Sequence, residues 1–183
     1  MALRRKYIRS LVESLLRKQN IYSAPVDVEK LALASGVIVR YEPAEDSLCG
    51  FLLRDPTQQK VIIGVNKNHP DNRQRFTIGH ELGHFLLHES AKFHVDYKFR
   101  LKISDDEFQK GDSTEEKEAN LFAAELLMPA SFIKQDLEQI NRPDLFEALD
   151  IFEDEKLQSL AKHYQVSVQA LTFRLAYLNY IRL

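Results

Sequence analysis

One cysteine, Cys49, is all the chain has. No disulfide framework can form within it, and the composition suits a reducing cytosol. Net charge is nearly absent too. Lys and Arg number 25 against 27 Asp and Glu, a formal −2, so nothing global points to nucleic acid. No apolar run approaches the roughly 20 residues that cross a membrane. The basic start MALRRKYIRSLVESLLRKQ lacks the apolar segment of a secretion signal. Internal repeats and low-complexity segments are missing as well. What remains is 183 residues, 44% hydrophobic and 28% charged. That is an ordinary globular chain with one sizeable core, or a core and a small appendage. A cytoplasmic location is the expectation.

Periodicity supplies the elements. Leu3, Tyr7, Ile8, Leu11, Val12, Leu15 and Leu16 recur at helical spacing, so an amphipathic helix is expected over 3–18. Its other face carries Arg4, Arg5, Lys6, Arg9, Arg17 and Lys18, read as solvated. VDVEKLALAS after Pro25 is a second helix, stopped by Gly36. VIVRY (37–41), GFLLR (50–54) and KVIIGVN (60–66) are strand-like, and Asp55-Pro56-Thr57 makes 50–66 a hairpin. FHVDYKFRLKI (93–103) alternates apolar and polar residues without a miss, so one long strand is expected there. A helix is expected from Thr114 to Met128, and short helices follow. Helices around a small sheet make the fold α+β.

The stretch RFTIGHELGHFLLH (75–88) places ionisable side chains in a helix that otherwise reads as buried. At about 100° per residue, Thr77, His80, Glu81, His84 and His88 share one wedge, while Ile78, Gly79, Leu82, Phe85 and Leu86 face the core. His80 and His84 are one turn apart and can reach the same ion. Glu81 projects beside His80, where it can meet a water without holding the metal. This is H-E-x-x-H, with the mechanics of a zinc protease. Gly83 permits close backbone approach. His88 is too far along a straight helix to be a third ligand, and a supporting or donor role remains open to it.

Two histidines and a water leave one zinc ligand to find. The helix DSTEEKEANLFAAELLMP offers Glu115, Glu116, Glu118 and Glu125. Its apolar stripe runs through Ala119, Phe122, Ala123, Leu126 and Leu127, and Glu118 and Glu125 point away from it. Periodicity does not choose between Glu115 and Glu116. Asn120, one turn after Glu116, can hydrogen-bond a ligand histidine and tilts the choice towards Glu116. The competing role for Glu116 is a capping box with Ser113. Asp112 and Glu115 form a second candidate box.

The two segments together, RFTIGHELGHFLLH and EKEANLFAAELLMP, resemble the ImmA/IrrE family of metallo-endopeptidases. PVDVEKLALASGVIV and VIIGVN fit the same pattern, so the resemblance spans about residues 22 to 130. It implies a zincin-like core with a small mixed or antiparallel sheet and an active-site helix. It also implies one zinc per chain, with the first Glu of Glu116-Lys117-Glu118-Ala119-Asn120 as third ligand. The implied substrate is a helix-turn-helix repressor, in mobile-element or stress regulation. The histidine motif and this Glu are far apart here, 32 residues from 84 to 116.

The end of the chain, LQSLAKHYQVSVQALTFRLAYLNYI, has the outline of a helix-turn-helix, with Ser167 as an N-cap. The expected division is a peptidase-like domain over 1–142 and a helical unit over 143–183. DNA reading would fall to Gln169, Thr172, Arg174 and Asn179, a sparse set beside an acidic 144–155. A scaffold or substrate-docking role is preferred. Two rival classes stand beside the enzyme: a non-catalytic interaction or toxin-like module with a structural zinc, and a DNA-binding regulator. Cys49 is expected to be a small buried hydrophobe, and His69, His94 and His163 have no evident partner. An extended substrate is expected to pair with a sheet edge, with 50–54 the candidate strand.

Overall fold

A computed structural model describes residues 3–55, 57–88, 93–96 (as backbone), 113–139 and 155–181. Among them are seven helices and one four-stranded sheet. The helices are α1 (Arg5–Lys18), α2 (Val28–Ala34), α3 (Asp71–Leu87), α4 (Thr114–Leu127), α5 (Ala130–Gln139), α6 (Glu155–Tyr164) and α7 (Val168–Tyr177). The strands are β1 (Val37–Glu42), β2 (Gly50–Asp55), β3 (Lys60–Asn66) and β4 (Phe93–Asp96). The fold is α+β, a zincin-like core with a helical unit behind it.

The sheet runs in the order β1-β3-β2-β4. β2 and β3 form the expected hairpin, antiparallel from Gly50 opposite Val65 to Asp55 opposite Lys60. β1 lies parallel to β3 on one side, and β4 lies antiparallel to β2 on the other. The sheet is therefore mixed. It also corrects one expectation: strand 50–55 is internal, because β4 occupies its far side, with Phe51 opposite Val95. Among the described strands the edges are β1 and β4. The expected strand 93–103 is seen over 93–96, and 97–103 lies outside the described residues.

Local chemistry explains the helix ends. Asp27 caps α2 by accepting a hydrogen bond from Lys30 N–H at 2.9 Å. Gly36, at φ +82, takes the left-handed turn that ends it. α1 buries Ile8, Val12 and Leu16, each contributing about 1.5–3 kcal/mol of hydrophobic stabilisation. Its polar side is less solvated than its composition implies. Arg4 pairs with Glu118 at 2.6 Å and Arg9 approaches Glu125 at 3.6 Å.

The C-terminal helices close on the same core, with Leu157, Leu160, Tyr164, Leu171 and Leu175 in one buried cluster with Ile78 and Leu82 of α3. Tyr164 Oη donates to Asp136 at 2.5 Å. Ser167 accepts from Ala170 N–H at 3.1 Å, the expected cap of α7. Arg174 is buried at 2% exposure, donating to Met128 O at 2.9 Å and Glu125 at 2.6 Å. Thr172 is buried too. Two of the four side chains considered for DNA reading thus face the core.

Candidate metal centre

α3 runs through the middle of the molecule, and every residue from Phe76 to His84 is buried. The core side of the helix was legible as such, but the histidine wedge is covered too, by α4. The close approach of the two helices comes from small residues. A Cβ added at Gly79 would stand 3.3 Å from Ala123 Cα and Cβ. One added at Gly83 would stand 3.1 Å from Ala119 Cα and 3.2 Å from Phe122 Cβ. Glycine facing alanine lets the backbones nearly touch, and that brings the first turn of α4 over the histidines.

Ser113 caps α4, accepting from Glu116 N–H at 3.2 Å. The capping position is thus filled by Ser113, while the Glu116 carboxylate lies against the histidines. His80 Nε2 is 3.4 Å from Glu116 Oε2, and His84 Nε2 is 3.1 Å from Glu116 Oε1. The two ring nitrogens are 3.1 Å from each other. His80, His84 and Glu116 are the group of metal-capable side chains that converges among the described residues. Asp112 lies outside the described residues, and Glu115 is not part of the convergence.

These three donors fit a divalent transition metal. Zinc–nitrogen and zinc–oxygen bonds of about 2.0–2.1 Å at tetrahedral angles put neighbouring donor atoms about 3.3–3.4 Å apart. The observed spacings of 3.1 to 3.4 Å match that edge. Two imidazoles and one carboxylate also form a donor set with room for a fourth, exchangeable position. Glu81, next to His80 on α3, is fully buried at 0% exposure. Asn120, one turn after Glu116, is half-buried, and its Oδ1 has no hydrogen-bond partner among the described residues.

The end of α3 is held by groups the sequence did not flag. Arg54 of β2 donates to the carbonyls of His84, Phe85 and His88 at 3.3, 3.3 and 2.8 Å. Arg4 donates to Leu87 O at 3.1 Å. Carbonyls at a helix C-terminus need partners, and a cation there also complements the helix dipole. His88 turns away from the helix into extended backbone, with Nε2 3.2 Å from Glu118 Oε2.

Glu118 and Glu125 correct a second expectation. Both are 3% exposed, because the buried arc of α4 is wider than its apolar stripe. The Arg4 guanidinium beside Glu118 holds that carboxyl down at about 2. The other singled-out side chains are structural in these surroundings. Cys49 is buried, with Arg73 Nη2 at 3.2 Å from its Sγ. His69 pairs with Asp46 at 3.2 Å and His163 approaches Asp136 at 3.6 Å. The side chain of His94 lies outside the described residues.

Comparison with known proteins bears on family and fold. The Peptidase_M78 model, described as the IrrE N-terminal-like domain, matches residues 32–176. An uncharacterized immunity region protein 2 of Bacillus phage phi105 is 31% identical over 130 residues, 70% of this chain and 72% of that protein. A solved structure titled Mycobacterium tuberculosis transcriptional regulator superposes with a TM-score of 0.59 at 14% identity. That likeness, which shows the fold alone, covers 93% of this chain and 46% of the other, so this chain spans about half its length. The chain belongs to the Peptidase_M78 family, the family of IrrE N-terminal-like domains.

Proposed function

We propose that this chain is a zinc-dependent endopeptidase that cuts a helix-turn-helix repressor. One zinc is held per chain by His80, His84 and Glu116, and Glu81 is the catalytic base. The observation that carries the reading is the convergence of two imidazole nitrogens and a carboxylate at tetrahedral spacing, with a buried carboxylate next in sequence to the first histidine. A repressor substrate is supported by the name of the phage relative, an immunity region protein. Within this proposal 1–142 forms the peptidase portion and 143–183 a helical support. The burial of Thr172 and Arg174 favours support over DNA reading.

When bound, the metal supplies Lewis-acid polarisation of the peptide carbonyl and acidifies water. The protein supplies the remainder. Glu81 takes a proton from the attacking water on its carboxylate and delivers it to the leaving amine. The packed helices α3 and α4 exclude bulk water behind the histidines. Asn120, one turn beyond Glu116, makes no hydrogen bond to either histidine among the described residues, and its unpartnered Oδ1 is the acceptor proposed for a ligand-histidine ring N–H once metal is bound. An extended peptide joins the sheet at β4, the edge beside β2, through backbone hydrogen bonds.

Metal content tests the reading. Purified protein is expected to carry about one zinc per chain, lost in His80→Ala and in His84→Ala. Elemental analysis that finds no metal in fresh wild type, and no uptake on titration, removes the enzyme. The third ligand has its own test. Glu116→Gln is expected to weaken zinc binding more than Glu115→Gln does, since Glu116, and not Glu115, joins His80 and His84 in the converging donor group among the described residues. The reverse order, read by chelator competition, would show that the wrong carboxylate had been chosen.

A further inference from the structure

The candidate metal ligands join α3 to α4, and a second bridge joins His88, just past the end of α3, to Glu118, half a turn beyond Glu116 on α4. His88 follows His84 by four residues, and Glu118 follows Glu116 by two. The His88 ring meets Glu118 Oε2 at 3.2 Å, with both side chains buried. Arg4 closes the bridge from outside. Its backbone N–H donates to Glu118 Oε1 at 3.0 Å, its Nε reaches both carboxylate oxygens at 3.0 and 3.1 Å, and its Nη2 reaches Oε2 at 2.6 Å. The same guanidinium holds Leu87 O, the last carbonyl of α3. None of these three side chains is among the converging metal donors.

Glu116 sits in the first turn of α4, which begins at Thr114, and its side chain is 31% exposed. Helix ends fray, and a ligand on a fraying turn must be ordered when metal binds, at an entropic cost. A bidentate arginine–carboxylate contact is directional. Placed at Glu118, it pins the chain immediately after Glu116 to the end of the histidine helix. We propose that Arg4, Glu118 and His88 are positioning residues that hold Glu116 opposite His80 and His84 and so set the affinity of the metal centre. The inference rests on the metal-centre reading above and deepens it. His88 thereby links the two ligand helices, through Glu118.

The test is zinc affinity, read by competing the zinc-loaded full chain against a chromophoric chelator, with circular dichroism reporting fold. Glu118→Gln and His88→Ala are expected to weaken zinc binding about 10- to 100-fold, the range for groups that orient metal ligands. His88→Gln keeps a side-chain donor and is expected to recover most of the loss. Arg4→Ala moves affinity in the same direction and is the variant that least threatens folding, since Arg4 is 45% exposed. Glu125→Gln is the control. It lies on the same helix, equally buried, but its partner is Arg174. It is expected to lower the melting temperature while changing zinc affinity by less than about twofold, as for a distant, uncoupled site. Wild-type affinity in folded Glu118→Gln and Arg4→Ala overturns the positioning role and leaves the metal centre standing. So does an equal loss in Glu125→Gln, which would make the effect one of general helix stability. A wild type that binds no zinc overturns both.

Discussion

Under the proposed function, Glu81→Gln is expected to end cleavage of a helix-turn-helix repressor while leaving the fold and zinc binding in place. The side chain is fully buried beside His80 but outside the converging donors, so its amide analogue keeps the volume and the ligands. What it loses is the ability to take a proton. General acid–base groups contribute about 10²–10⁴-fold, so the discrete repressor fragments expected on co-expression with wild type should be absent with the variant. A chelator should produce the same result in the wild type. The two treatments differ in one respect: the chelator strips the metal and the substitution does not. If Glu81→Gln relieves repression as well as wild type, with the repressor intact, the chain works by binding and the metal serves structure.

Much of the candidate site was legible because it is local. His80, Glu81 and His84 lie on one helix, and a period of about 100° suffices to place them. The hairpin over 50–66 and the caps at Asp27 and Ser167 are local in the same sense, each set by a few adjacent residues. Glu116 needed more. Its helix is 32 residues away, from 84 to 116, and periodicity left Glu115 and Glu116 level. In the structure Glu116 rather than Glu115 converges with the histidines, beside contacts no sequence period encodes, the fit of Gly79 and Gly83 against Ala123 and Ala119. The internal position of β2 was hidden for a similar reason, since strand order is set by what packs alongside. The Arg4, Glu118 and His88 bridge was missed because charged residues on helices default to solvent. A signal existed: Glu118, Phe122 and Glu125 fall at spacings of four and three, so the carboxylates share a helix side with a core phenylalanine.

Glu125→Ala is expected to be strongly destabilising. Glu125 and Arg174 are 3% and 2% exposed and meet at 2.6 Å. Glu125 also accepts from Ala130 N–H at 3.2 Å, and Arg174 from α7 donates to Met128 O at 2.9 Å. Together they fasten the turn after α4 to α7. Breaking a buried pair by removing one partner costs about 3–5 kcal/mol, because the other charge stays buried. The two halves are not equivalent. Without Glu125 the guanidinium of Arg174 keeps a carbonyl and no counter-charge within the pair. Without Arg174 the carboxylate still has Arg9 at 3.6 Å and the Ala130 amide. Denaturant melts should therefore rank Glu125→Ala as costlier than Arg174→Ala. The double change Glu125→Leu with Arg174→Met should cost less than Glu125→Ala alone, since it removes both desolvated charges and refills the space. The same series weighs the DNA-binding alternative, because Arg174 is one of its reading side chains. An Arg174→Ala variant of unchanged stability that lost salt-dependent DNA affinity would return that helix to a recognition role. A destabilised one, indifferent to DNA, identifies it as the strut that braces the C-terminal helices against α4.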